Sequence, residues 1–118
     1  MLVPEELKQD WAIFKAICPK EIMDILKSRK LTFENLFGIV WAVYVLEFTD
    51  LSLYLLVKNR RLVPKDWSRQ KMVEELIIGK IPKKYDGRTF LCMIICNVEN
   101  EQIRKHFLQL YSEESLRN

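Results

Sequence analysis

The chain has 118 residues, a formal net charge of +3 and 49% hydrophobic residues, among them six Phe, four Tyr and three Trp. The length suits one domain, and this much apolar volume excludes a mainly disordered chain. With only three Gly and four Pro, most residues are expected in regular elements. We therefore expect a single domain over 1–118, with a helical N-terminal part at 1–35 and a core at 36–112.

Two helices are predicted near the N-terminus. Pro4 followed by Glu5 and Glu6 is typical of a helix start, because proline fits the first turn and acids suit the positive end of the helix dipole. Pro19 begins a second helix in the same way. A helix pair is predicted over residues 4–30.

Two apolar runs follow, at 39–46 and 51–57. The first is rich in β-branched and aromatic residues, which suit a pleated surface. Thr49 and Asp50, in the polar break between the runs, are common turn residues. The pattern predicts a β-hairpin buried on both faces.

Two other interpretations of these runs are a pair of buried helices and a membrane span. Short apolar runs also suit buried helices, with Thr49 as an N-cap. A membrane span is excluded, because Leu36–Leu46 supplies only 11 uncharged residues where about 20 are needed. Glu47 and Asp50 would also lie within the membrane, at a cost of about 2.5–3.5 kcal/mol each.

The remaining elements complete a small α+β core. Pro64 opens a helix that ends near Gly79, residues 89–96 read as a third buried strand, and Asn97 or Asn100 caps a last helix. The predicted fold is a helix pair followed by a β-β-α-β-α core. The alternative, if the central runs are helices, is an all-α bundle.

Few residues suggest chemistry by themselves. Cys92 and Cys96 would share a strand face, but zinc needs two further ligands and only His106 and Cys18 remain. Buried free cysteines are the preferred interpretation, so no metal site and no cofactor are predicted from the residues. Three unpaired cysteines and the charged first residues favour an intracellular protein, cytoplasmic or nuclear.

The middle of the chain is basic. Lys58–Arg88 holds ten Lys or Arg against four Asp or Glu, which is +6 locally and leaves −3 elsewhere. Such a segment favours an anionic partner, with nucleic acid first, although solvated lysine-rich surfaces are equally common. The residues proposed to bind nucleic acid are Lys58, Lys65, Arg69, Lys83 and Lys84.

Residues 38–111 resemble the GIY-YIG nuclease family. The resemblance is carried by Trp41–Leu46, Asp50 and Ser52–Tyr54, followed by a basic helix, a strand and a last helix. It implies that Tyr44 and Tyr54 orient the attacking water. It also implies that Arg60 or Arg61 stabilises charge on the phosphate, with Mg²⁺ as the cofactor of cleavage.

The chain departs from that family at important positions. Leu56 stands where the second tyrosine motif has glycine, and His106 lies nearest the place of the metal-binding glutamate. A magnesium site that lacks its carboxylate is weak. The departures point to a degenerate member that binds nucleic acid, with catalysis left open.

The helical alternative implies a different function. As a bundle, the stretches Leu53–Pro64 and Ile103–Leu108 resemble death-fold adaptors such as caspase-recruitment and pyrin domains. That resemblance implies a non-enzymatic domain that binds protein partners through charged patches on helix faces. The secondary structure of residues 39–57 decides between the two folds.

Overall fold

The computed structural model describes residues 3–78 and 87–117, and every regular element in these two stretches is helical. The α-helices are α1 (Lys8–Ile17), α2 (Lys20–Lys27), α3 (Phe33–Val45), α4 (Thr49–Lys58), α5 (Arg69–Ile78), α6 (Gly87–Asn97) and α7 (Glu101–Arg117). Short 3-10 helices at Glu5–Leu7 and Arg60–Leu62 lie before α1 and after α4. The predicted α+β class is therefore wrong, and the all-α alternative agrees with the described residues.

The predicted N-terminal helix pair is present as α1 and α2. Pro19 lies directly before α2, and its carbonyl oxygen accepts hydrogen bonds from the backbone N–H groups of Ile22 at 3.1 Å and Met23 at 3.2 Å. Proline at this point needs no N–H partner and has a backbone angle already suited to a helix. The local signals therefore locate the start of α2, whereas Pro4 precedes the short 3-10 helix at Glu5–Leu7 and α1 itself begins at Lys8.

The predicted first strand is instead the central helix, α3. Thr32 caps it, because the Thr32 hydroxyl accepts a 3.2 Å hydrogen bond from the backbone N–H of Asn35. Residues 36–43 are all buried, and α3 packs mainly against α4 and α6 with further contacts to α2 and α7. A helix surrounded by neighbours is apolar on every side, so its sequence shows the same continuous run as a fully covered strand.

The polar break after α3 does reverse the chain, but it joins two helices and not two strands. Glu47 adopts a left-handed conformation with φ of 74°. The Glu47 N–H donates to the Tyr44 oxygen at 3.0 Å, and the Phe48 N–H donates to the Val43 oxygen at 3.1 Å. These two bonds form a Schellman ending for α3, and α4 then begins at Thr49.

The third predicted strand, residues 89–96, is also helical and belongs to α6. Its inner face is formed by alternating pairs of buried residues, namely Phe90, Leu91, Ile94, Ile95 and the following Val98. Cys92 and Cys96 lie on the outer face and are exposed, so the expectation that both are buried is wrong. Asn100 caps α7 as predicted, with its side-chain oxygen 3.0 Å from the Ile103 nitrogen.

Candidate functional site

A groove between α1, α2 and the end of α4 is the strongest candidate site. It encloses about 460 Å³, within the usual range for ligand sites of roughly 300–1,000 Å³. Its apolar floor is made by Met23, Leu26 and Leu55, with Leu55 only 2% exposed. The groove therefore offers an apolar patch within a partly polar lining to a binding partner.

Three lysines surround this floor. Lys15 lies on α1 one helical turn after Trp11, Lys27 ends α2, and Lys58 ends α4. All three are exposed, and none forms an ion pair with another described residue. No Asp or Glu is among the described residues that line the groove, so their three ammonium groups give this lining a formal charge of +3.

Helix ends explain why two of these lysines lie where they do. Lys27 and Lys58 occupy the last turns of α2 and α4, where cations interact favourably with the negative end of the helix dipole. The Leu55 carbonyl is covered by the backbone N–H of Asn59 at 3.2 Å and by the Asn59 side-chain amide at 2.8 Å. Asn59 therefore provides hydrogen-bond partners for one of the last carbonyls of α4.

The two tyrosines predicted to act together line different cavities. Tyr44, on α3, lies beside Glu47, Glu113 and Glu114. Tyr54, on α4, lines a second cavity with the residues Pro4, Glu6, Leu7, Asp50, Leu53, Val57 and Arg69. The three glutamates around Tyr44 repel a phosphodiester, and the structure does not bring Tyr44 and Tyr54 together in one cavity.

The predicted cations are spread over several elements. Arg60 and Arg61 lie in the 3-10 helix after α4, Lys65 follows it, and Arg69 begins α5; all four are exposed. Lys83 and Lys84 lie outside the described residues. Of the three predicted nucleic-acid contacts that the structure describes, Lys58, Lys65 and Arg69, only Lys58 lines the groove.

Metal binding of the nuclease type also lacks a ligand set in the part of the chain that is described. There, no three His, Cys, Asp or Glu side chains come together in a way that could hold a metal ion. His106, nearest the place of the expected glutamate, has its Nε2 atom 3.0 Å from a carboxylate oxygen of Glu47. The imidazole thus contacts the α3–α4 turn through one carboxylate, and among the described residues the two do not belong to a group of three potential metal ligands.

Lys15 and Lys27 are the functional candidates that sequence reasoning missed. They lie outside the basic segment, and a groove between three helices brings them to Lys58. The available signal was helical spacing, since Trp11 and Lys15 share one face of α1. Nothing in the sequence indicates that this face meets the ends of α2 and α4.

Comparison of the chain with models of known protein families, with curated proteins and with solved structures found no match. Neither resemblance therefore gains support from a known relative. No helix within 3–78 and 87–117 combines the length and the apolar character needed to cross a membrane. The apolar and lysine side chains of the groove are therefore the basis for the function proposed below.

Proposed function

We propose that this domain is a non-enzymatic protein-interaction domain that binds its partner in the groove between α1, α2 and α4. The observation that carries the proposal is that the described lining pairs aliphatic side chains with three lysines and contains no acid. Burial of apolar side chains supplies affinity, and the lysines select an acidic partner and speed its approach. The lysine stems also extend the apolar surface while their ammonium groups stay in water.

The partner best suited to this groove is an amphipathic acidic helix. Such a helix inserts apolar side chains spaced three or four residues apart and directs its carboxylates to the three lysines. Side chains from three helices line the groove, so it offers a concave surface with contributions from each of them. A partner helix therefore meets aliphatic surface in the centre and positive charge around it.

Nucleic acid fits this groove less well. Binding of single strands relies on aromatic platforms on which bases stack, whereas among the described residues that line this groove Trp11 is the one aromatic side chain and Met23, Leu26 and Leu55 are aliphatic. Trp11 borders the groove, but it is tilted against Phe14 with ring centroids 5.9 Å apart, which covers part of its surface. The aliphatic floor therefore supports a protein partner.

A peptide titration tests the proposal. The probe is a fluorescent synthetic peptide of about 16 residues, long enough to form a helix when bound, with Leu at every third or fourth position and Glu at most others. The reporter is fluorescence anisotropy, measured for the parent chain and for Lys15→Glu/Lys27→Glu. We expect the double variant to lose about tenfold or more in affinity, because two attractive contacts become repulsive.

The matched control is Lys65→Glu/Arg69→Glu, which changes net charge by the same amount outside the groove. We expect this control to bind the peptide as the parent does. Equal losses in the two variants would mean that only net charge matters and would contradict the proposal. A labelled oligonucleotide run in parallel decides the other function: tight binding that is lost in the Lys65/Arg69 variant would favour nucleic acid.

A further inference from the structure

The outer face of α6 carries two thiols that the groove does not use. Cys92 and Cys96 are exposed and lie four residues apart, so they occupy the same face of the helix on consecutive turns. Together with Arg88, Thr89 and Met93 they line a shallow, mostly apolar concavity of about 460 Å³. Two accessible sulfurs thus lie next to a thioether and a guanidinium.

The spacing of the two thiols is unsuited to a disulfide within the helix. Side chains four apart on a helix have Cβ atoms about 5–6 Å apart, while a disulfide needs about 3.5–4.5 Å. A bridging ion fits this spacing better. With metal–sulfur bonds of about 2.3 Å, as in zinc thiolates, two sulfurs up to about 4.6 Å apart can share one ion.

The ligand set selects the kind of ion. Zinc takes four ligands, and among the described residues no three His, Cys, Asp or Glu side chains are placed to hold a metal. Soft thiolate and thioether ligands favour Cu(I). We infer that Cys92 and Cys96 form a two-sulfur binding site for Cu(I), with the Met93 thioether at its edge.

The charge of the site is consistent with this inference. Each thiol releases its proton to solvent as its sulfur–copper bond forms, and copper remains Cu(I) throughout. One Cu⁺ ion with two thiolates carries a net charge of −1. Arg88 lies one turn before Cys92 and lines the same concavity, so its guanidinium is placed to balance that charge.

An anaerobic titration of the full chain with Cu(I) against a coloured Cu(I) chelator tests the site. We expect one ion per chain, and about a hundredfold or greater loss of affinity for Cys92→Ser or Cys96→Ser, because the second sulfur binds intramolecularly. Bound Cu(I) should also protect both thiols from alkylation, as seen by mass spectrometry. Arg88→Gln should weaken binding less than loss of either thiol.

A spacing control keeps two thiols on this face but separates them. In Cys92→Ser/Arg88→Cys the thiols are eight residues, or about 12 Å, apart along the helix, too far to share an ion. We expect this variant to bind as weakly as a single-cysteine variant. Binding equal to that of the parent, or Zn²⁺ binding as tight as Cu(I) binding, would overturn the two-sulfur assignment.

Discussion

The side-chain amide of Asn97 donates a 2.8 Å hydrogen bond to the main-chain oxygen of Ile17, a residue 80 positions earlier in the chain. Ile17 ends α1 and Asn97 ends α6, so this bond fastens the last turns of two helices to each other. Carbonyls at a helix end lack partners within the helix and need one from elsewhere. The contact also holds α1, which forms one side of the groove.

Replacement of Asn97 by Ala should therefore destabilise the fold. We expect a loss of about 1 kcal/mol in the free energy of unfolding, the usual value of one partly buried hydrogen bond. Urea denaturation followed by circular dichroism measures it. Asn59→Ala is the comparison. It also removes a hydrogen bond from a side-chain amide to a main-chain oxygen, but that bond lies within the end of one helix and does not join two helices. Wild-type stability in Asn97→Ala would show that the contact contributes nothing.

Because Glu47 has a left-handed backbone conformation, glycine at this position should stabilise the fold relative to alanine. A non-glycine residue with positive φ costs roughly 1 kcal/mol, which glycine avoids. Both Glu47→Gly and Glu47→Ala lose the exposed contact to His106, so their difference isolates the backbone term. We expect Glu47→Gly to be more stable than Glu47→Ala by about 1 kcal/mol. Equal denaturation midpoints would contradict the assigned conformation.

Trp41 provides a test of core packing. It is 1% exposed at the centre of α3, and its buried indole nitrogen has no hydrogen-bond partner within residues 3–78 and 87–117. Trp41→Ala should cost about 3–5 kcal/mol, because it leaves a large cavity. Trp41→Phe should cost much less, since it keeps most of the apolar volume and removes the unpaired donor. Equal losses for the two variants in chemical denaturation would be incompatible with this packing.

The three cysteines should differ in reactivity. Burial raises the pKa of the Cys18 thiol to about 12, from an ordinary value of 9.0, whereas Cys92 and Cys96 are exposed. Because the thiolate is the reactive form, a thiol reagent at neutral pH should modify Cys92 and Cys96 quickly and Cys18 only as the chain unfolds. Mass spectrometry of partly modified chains identifies the sites. Rapid modification of Cys18 in the folded chain would refute its burial.

The same thiol predicts how stability changes at high pH. Below pH 9.0 Cys18 is protonated in both the folded and the unfolded chain. Between 9.0 and about 12 the unfolded chain loses this proton while the folded chain keeps it, so stability falls as pH rises through that window. Cys18→Ala should show a shallower fall than the parent. Parallel pH profiles of the two proteins would remove this explanation.

The sequence located some helix boundaries, but the helix predicted to open at Pro64 begins only at Arg69. Prolines and acids near the starts of α1 and α2, and Asn100 before α7, act through local backbone bonds and could be predicted. The type of α3 could not, because neighbours cover it on every side and leave no polar face to reveal a period. In α6, Cys92 and Cys96 face outward but are hydrophobic residue types. The sequence therefore shows a continuous apolar run, and the helical spacing of the buried residues is not visible in it.

The groove could not be predicted from sequence patterns, for a different reason. Its lysines come from three helices, so their proximity depends on how α1, α2 and α4 pack. The charge count favoured Lys58–Arg88 because that segment is continuous in the chain. Among the described residues, Lys58 is the one member of that basic segment that also lines the groove.

The most direct test of the central claim is a map of the surface that the acidic helical peptide contacts. Backbone amide resonances of the labelled domain would be followed by NMR during the titration. We predict that the largest shifts fall on α1 around Lys15, on α2 from Met23 to Lys27 and on α4 from Leu55 to Asn59. Shifts confined to α5 and the turn before it, with α1 and α2 unchanged, would contradict the account.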